Sequence, residues 1–408
     1  MSNSSRPRVD FIRRRVSLDP CDPDFYNNPY PAYHEIRAQM PVFFWEEYGY
    51  WCLARHEDVN ALLRDPRFGR QILHVATREE LHWPAMPDHL KPFYAFEEHS
   101  LLELEPPVHT RLRGLVSKAF LARQVERLRP EIEQLCHRLI DSFEGRDEVD
   151  LLTAYATPIP IAIICSMLGV PAAMAPQLLA WSHDMVCMYQ ARRDRALEDA
   201  AVRATVEFTG FMRGHVEARR QESQDDLLSG LIRAKEQGQT LSDDELITTA
   251  ILLLNAGHEA TVHTLGNGIC ALLQLGIRDG FTPGHIEEVL RYDPPLHLFT
   301  RYALEDVCFA GVTLKKGDKI GLLLGAANRD PERFPKPDIF RPERSPNQHV
   351  SFGAGIHFCV GAPLARLELQ IAIPVLFARL PRMRLAGAPL YKNIYHFHGL
   401  EKLLVKLL

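Results

Sequence analysis

The sequence predicts a mainly α protein with small β-sheets, a single large helical domain over residues 1–408 built round one long central helix. Three observations predict it. From residue 105 to about 275 apolar residues recur at helical spacing almost without a break. Within that stretch, LSDDELITTAILLLNAGHEATVHTLGNGICALLQL reads as one helix, apolar nearly all round from Ile247 to Leu254, as befits a helix running through the middle of a protein. The flanking text breaks into short strand-like pieces, and neither an internal repeat nor a linker divides the chain.

The first 25 or so residues, beginning MSNSSRPRVDFIRRRV, are polar and basic and read as an extended arm without the apolar core of a signal peptide. A helix (PYPAYHEIRAQM) and strand-like text (PVFFWEEYGYWCLA) follow. Residues 76–104 form a long connection rich in histidine, proline and aromatics, among them Trp83, Phe93, Tyr94 and Phe96, and long connections of this kind are often functional. The central helix opens on Ser242 as N-cap with an acidic first turn, which favours the positive end of the helix dipole. Beyond it come a short helix (PGHIEEVLRY), strand-like pieces and the proline-rich ANRDPERFPKPDIFRPERSPNQH, and the last 25 residues return to strand-like text.

With 46% apolar and 24% charged residues the composition is that of an ordinary globular protein. A net charge of −5 argues against nucleic acid as a partner. The most apolar runs, PIPIAIICSMLGVP and ITTAILLLNAG, are too short to span a bilayer, so the expectation is a cytoplasmic protein with no membrane contact. Eight cysteines are scattered without a CxxC pair, which fits neither a zinc site nor a disulfide framework. Cys165 and Cys270 sit in apolar helical text as small buried hydrophobes.

Cys359 differs. It lies in SFGAGIHFCVGAPLARLELQ, among Gly353, Gly355 and Gly361, just before a helix that accepts Pro363 in its first turn. A sulfur near a helix N-terminus favours its thiolate. Four readings are open on these residues alone: a buried structural thiol, a nucleophile paired with His357, a phosphate cradle that lacks the Lys-Ser/Thr ending of a P-loop, and a thiolate ligand to iron.

FGAGIHFCVG, with Phe352, Gly355, Cys359 and Gly361 in register, resembles the haem-binding signature of the cytochrome P450 monooxygenases. Upstream, EEVLR supplies Glu288 and Arg291, similar to the family's buried Glu-x-x-Arg pair, with Arg344 as the third member of a structural triad. The resemblance runs from about residue 30 to 408 and implies the P450 fold, with haem b held between the central helix and the Cys359 loop. It makes Cys359 the iron ligand, Phe352 and Gly361 haem contacts, and His109, Arg113, Arg301 and His357 partners for the two haem propionates. Ala256 and Gly257 of AGHEATVH leave room for haem and dioxygen, and Glu259 matches the acid that relays protons. The family usually follows that acid with threonine. Here the position is Ala260, and Thr261 lies about 100° further round the helix. Ordered water or a polar group on the substrate is expected to supply the missing hydrogen bond.

The implied reaction inserts one atom of dioxygen into a mid-sized, largely apolar organic molecule, by hydroxylation, O-demethylation or epoxidation. A non-enzymic haem sensor and a peroxide-driven variant are the rival readings. Family resemblance points to a substrate pocket of Phe96, His99, Leu102, Leu252, Asn255, Ala256, Leu296, His297, Phe397 and His398. The chain has no flavin or iron–sulfur segment, so electrons are expected from NAD(P)H through a separate ferredoxin and ferredoxin reductase. Arg111, Lys118, Arg123 and Arg366 are the expected basic patch for that acidic partner.

Overall fold

The central helix runs unbroken over Asp243–Leu275, 33 residues, or about 50 Å at 1.5 Å per residue. Its start is a capping box: Glu245 N–H donates to Ser242 Oγ at 3.2 Å, and Ser242 N–H donates to Glu245 Oε2 at 2.9 Å. Its end is Gly276, at φ 71°, a left-handed cap that glycine adopts without strain. This computed structural model describes residues 7–189, 193–234, 238 and 240–407, Ala119 and Ala122 by backbone alone. The central helix packs against the helices Pro158–Leu168, Arg195–Gln221 and Ala362–Arg379, which explains why its text is apolar on every side.

Beside this helical mass lies a seven-stranded sheet. From edge to edge its strands are Arg8–Asp10, Arg15–Ser17, Val42–Trp45, Tyr50–Leu53, Lys319–Leu323, Leu298–Ala303 and Phe68–Gly69. The N-terminal residues are thus tied in rather than held out as an arm: Arg15 and Val16 pair with Phe44 and Trp45, and Phe25 is buried against the Trp45 ring. The connection at 76–104 also carries structure, a short helix Lys91–Glu97 whose Phe93, Phe96 and Glu97 share a buried face. Glu148–Asp150 is the one strand within the described part of the helical stretch 105–275, and it pairs with Leu404–Lys406. Its single apolar residue, Val149, gives too short a pattern to be read as a strand.

The helix Pro283–Tyr292 matches its sequence segment residue for residue. Glu288 and Arg291 are fully buried on it and joined by two hydrogen bonds of 2.8 and 2.7 Å. Arg344 Nε lies 3.4 Å from the same carboxylate, which also accepts from Arg341 N–H at 2.8 Å and Asn347 Nδ2 at 3.1 Å. Arg291 donates onward to the Asn328 carbonyl at 2.8 Å. Asn328 in turn holds the approach to Cys359, its Nδ2 donating to Ser351 Oγ and its Oδ1 accepting from Val350 N–H, both at 2.8 Å. A buried ion pair stabilises only when its remaining lone pairs and protons find partners, and here they do.

Candidate active site

Cys359 is presented by a loop that only glycine can build in two places. Gly353 and Gly355 take φ values of +66° and +70°, and a Cβ on Gly355 would stand 2.2 Å from the Leu63 carbonyl oxygen. The Cys359 N–H donates back to the Phe352 carbonyl at 3.0 Å, and helix Ala362–Arg379 follows with proline in its first turn. The Cys359 residue is exposed, open on one side. The packed loop pushes its thiol up from the ordinary range, while the Gly361 N–H, Arg113, the Ala362 N–H and Arg366 pull it down. Burial outweighs them, so the thiol sits above its ordinary range, and a coordinated metal cation would deprotonate it.

Two histidines and an arginine lie round this loop. His109 and His357 face each other with ring centroids 4.4 Å apart, and both are buried around their Nε2 atoms, which have no hydrogen-bond partner. Burial, then neighbouring His357 and Arg113, push His109 down to about 4. His357 Nε2 lies 3.4 Å from Glu105 Oε1. Arg301 is 4% exposed, donates only to its neighbour's carbonyl (Thr300, 2.9 Å) among the described bonds, and has no carboxylate paired with it. Burial and nearby Arg70 lower it to about 9. Unpaired buried cations and imidazole nitrogens are costly, and a dianionic ligand would satisfy them. The haem that the sequence implies, with two propionates, fits that requirement. Arg113 Nη2 donates to the Phe358 carbonyl at 2.6 Å and its Nε to Ser117 Oγ at 3.2 Å, so it braces the Cys359 loop. Phe352 likewise packs into that loop, under the Arg366 guanidinium at 4.7 Å.

On the central helix, Ala256 is exposed in the middle of an otherwise buried element, so the helix presents open backbone there. Glu259 stands between two histidines, 3.5 Å from His258 Nε2 and 3.4 Å from His263 Nε2. Burial alone would raise its carboxyl; His263, His258 and Lys392 together hold it down to about 2. Thr261 does not replace the absent hydroxyl. It is 5% exposed, and its Oγ1 donates back to the Gly257 carbonyl at 3.1 Å. Thr264 does the same to the Ala260 carbonyl at 2.7 Å.

The expected substrate residues divide. Phe397 bridges to Leu296 through the backbone and shares a cavity of about 10 Å³ with Glu259, His183, Tyr189 and His396. Leu252 and Leu102 are half-buried, and Asn255 has a buried Oδ1 without a partner. Phe96 belongs to the main core. His99 weighs on Glu245 in the first turn of the central helix, about 21 Å along the axis from Glu259. His297 and His398 do not line the cavity. Their rings lie 4.3 Å apart, tilted at 38°, in a buried polar knot, His297 Nδ1 2.7 Å from Tyr33 Oη and His398 Nε2 3.3 Å from Asp293 Oδ1. Polar groups at this depth need partners, and tyrosines from distant segments supply them. The basic patch is also reduced, because Arg111 is paired with Glu245 and Arg366 with Glu287.

Residues that the sequence reading missed complete the site. Arg70 pairs with Glu103, and its backbone N–H donates to Glu105. Tyr189 Oη donates to buried Glu97 at 3.2 Å. Glu105 had a signal, since it stands in EPPVHTRLR four residues before His109. Arg70, Glu97 and Tyr189 meet only through tertiary contact.

Comparison with known proteins agrees. The family model described as cytochrome P450 matches residues 62–275 and 281–380. The polyketide biosynthesis cytochrome P450 PksS of Bacillus subtilis (strain 168) is 36% identical, over 96% of this chain and 99% of its own. The mycinamicin IV hydroxylase/epoxidase of Micromonospora griseorubida is 39% identical over 83% and 84% of the two chains. Among solved structures, P450BioI in complex with a hexadec-9Z-enoic acid-ligated acyl carrier protein superposes with a TM-score of 0.87, at 33% identity and covering 95% and 99% of the chains. Fold, signature and relatives together show that the chain belongs to the cytochrome P450 family, the haem-dependent monooxygenases.

Proposed function

We propose that Cys359 supplies the thiolate to haem iron, that His109, His357 and Arg301 hold the propionates, and that Glu259 carries protons to the distal side. The observation behind this reading is an exposed cysteine residue whose sulfur is flanked by backbone N–H groups and by Arg113 and Arg366, beside buried Arg301, which has no carboxylate paired with it among the described residues, and two buried imidazole nitrogens without a hydrogen-bond partner. Bound there, haem would supply the oxidising chemistry, with the Cys359 thiolate as its electron-rich ligand. The protein's own work is to orient, to exclude water and to move protons. Arg113 fixes the Cys359 loop from the neighbouring helix, exposed Ala256 keeps the helix surface open above the haem, and Glu259 stays anionic at neutral pH as a proton acceptor.

The substrate is a mid-sized, largely apolar organic molecule. Support comes from half-buried Leu252, Leu296 and Phe397, and from relatives named for mycinamicin IV and vitamin D(3). Electrons come through separate redox partners, a ferredoxin and its NAD(P)H reductase, which dock on the Cys359 side where Lys118 and Arg123 are exposed. Among the described residues no helix is long and apolar enough to cross a membrane, which supports cytoplasmic placement. One folded domain without a linker is the matching reading of the chain as a whole.

The test is the carbon monoxide difference spectrum of dithionite-reduced protein. The thiolate-type Soret band is expected in the wild type and its loss in Cys359→Ser. A band that survives the substitution would remove Cys359 from the iron.

A further inference from the structure

The signature AGHEATVH lacks a hydroxyl at Ala260, and the structure does not restore it, because the hydroxyls of Thr261 and Thr264 are spent on backbone carbonyls. What stands next to Glu259 instead is imidazole. His258 and His263 are 5% and 3% exposed, so neither is a solvated surface group. His263 follows Glu259 at i+4, one turn along the same face, where side chains meet. Room for its ring is bought by Gly399, where a Cβ would stand 1.9 Å from His263 Nδ1. That Nδ1 is buried and has no partner, so the hydrogen-bonding capacity of the ring is directed to its Nε2 side, toward Glu259.

We propose that His258 and His263 clamp Glu259 as the proton-carrying carboxylate in place of the hydroxyl that Ala260 lacks, with exposed His183 as the entrance from solvent. The inference rests on Glu259 being the distal proton carrier. His183 lines the same cavity as Glu259, and about 10 Å³ is room for roughly one water molecule. Tyr189 and His396 on that wall give the water further polar partners. The groups facing Glu259 are His258 and His263 from its own helix, Lys392 and His396 from the C-terminal segment, and His183, Cys187 and Tyr189 from the opposite side. All seven are cationic, ionisable to cations or neutral donors, the raised Cys187 thiol being the weakest donor among them.

The proton accounting is simple. Glu259 and His263 hold one proton between Oε1 and Nε2. Its transfer to Oε1 breaks the N–H bond and forms O–H, and release from Oε1 to the proton acceptor of the reaction breaks that O–H bond and leaves a neutral imidazole and an anionic carboxylate. The pair then takes a fresh proton through the cavity water, which gives one proton to the pair as it receives one from solvent at His183 and so stays neutral. No oxidant or reductant is involved. Both histidines are positioning residues that act through Glu259.

The experiment is an infrared pH titration of the haem-loaded protein, following the band of the protonated Glu259 carboxyl, assigned by its loss in Glu259→Gln. In the wild type burial is overcome by the imidazoles and the carboxyl stays ionised far into acid. In His263→Asn the band is expected at least about one pH unit higher, because an opposite charge has been removed from a buried acid. Product formed per electron consumed is expected to fall several-fold, with its pH profile displaced the same way. A band at unchanged pH overturns the proposal. Should His263→Asn fail to load haem, His258→Asn carries the same readout with the same two outcomes. The carbon monoxide spectrum of these samples reports separately on the haem-thiolate reading, which survives a negative infrared result.

Discussion

The two sides of the site treat buried polarity in opposite ways. Behind the Cys359 loop, Glu288 and Arg291 are fully buried and bonded to each other, to Arg341, Asn347 and the Asn328 carbonyl, and Asn328 passes the constraint to Ser351. On the haem-facing and central-helix side, His109 Nε2, His357 Nε2, His263 Nδ1 and Asn255 Oδ1 are buried with no partner. Leaving such atoms unmet costs about 1–3 kcal/mol each. The first region spends its polar groups on its own rigidity, Asn347 Oδ1 alone among those named being buried without a partner. The second withholds them, and the difference separates a scaffold from a binding surface.

Breaking the scaffold should have the largest effect. Arg291→Ala removes two of the donors of a fully buried Glu288 carboxylate and leaves it Arg344 at 3.4 Å as its one charged partner among the described residues, and breaking a buried pair in this way costs up to about 3–5 kcal/mol. A large fall in the urea midpoint, with failure to retain haem, is expected. Glu288→Leu combined with Arg291→Met removes both charges together and should recover much of the loss. Equal destabilisation by the single and double variants would mean that the pair matters through its contacts with Arg341, Asn347 and Asn328 rather than through charge balance.

On the other side the expected effect is on chemistry alone. Glu259→Gln keeps the shape of the side chain but neither accepts nor carries a proton. General acid–base groups contribute roughly 10²–10⁴-fold, so product formation should drop by about two orders of magnitude while stability and the carbon monoxide spectrum hold. A stability loss comparable with that of Arg291→Ala would place Glu259 in the scaffold and erase the contrast between the two regions.

Much of this contrast was legible in the sequence, and the reasons differ by region. The capping box of the central helix, the helix Pro283–Tyr292 and the glycine-built loop are local: each depends on residues a few positions apart, and each lies where the text puts it. The buried triad was legible by resemblance, since nothing in Glu288 and Arg291 themselves tells a buried pair from a surface one. The pocket was least legible. His297 and His398 are separated by about a hundred residues and meet ring to ring in a knot with Tyr33 and Asp293, and no local pattern announces that they turn away from the cavity. Arg111 and Arg366 misled for the same reason, their acidic partners Glu245 and Glu287 being supplied by other helices.

The smallest effect expected is the most discriminating about the central helix. Ala260→Thr restores the hydroxyl beside a half-buried Glu259 without touching the imidazoles on its other flanks. If water or a substrate group fills the place of that hydroxyl, the threonine displaces it, and product per electron falls a few-fold with a substrate the enzyme turns over. Coupling that is unchanged or improved removes the substrate-assisted route. The double variant Ala260→Thr with His263→Asn then sharpens the choice. A hydroxyl that rescues His263→Asn performs the same task as the imidazole, so the two changes are strongly non-additive. Additive losses would mean that His263 and position 260 act on separate protons, and that the clamp on Glu259 supplements a water path instead of standing in for the alcohol.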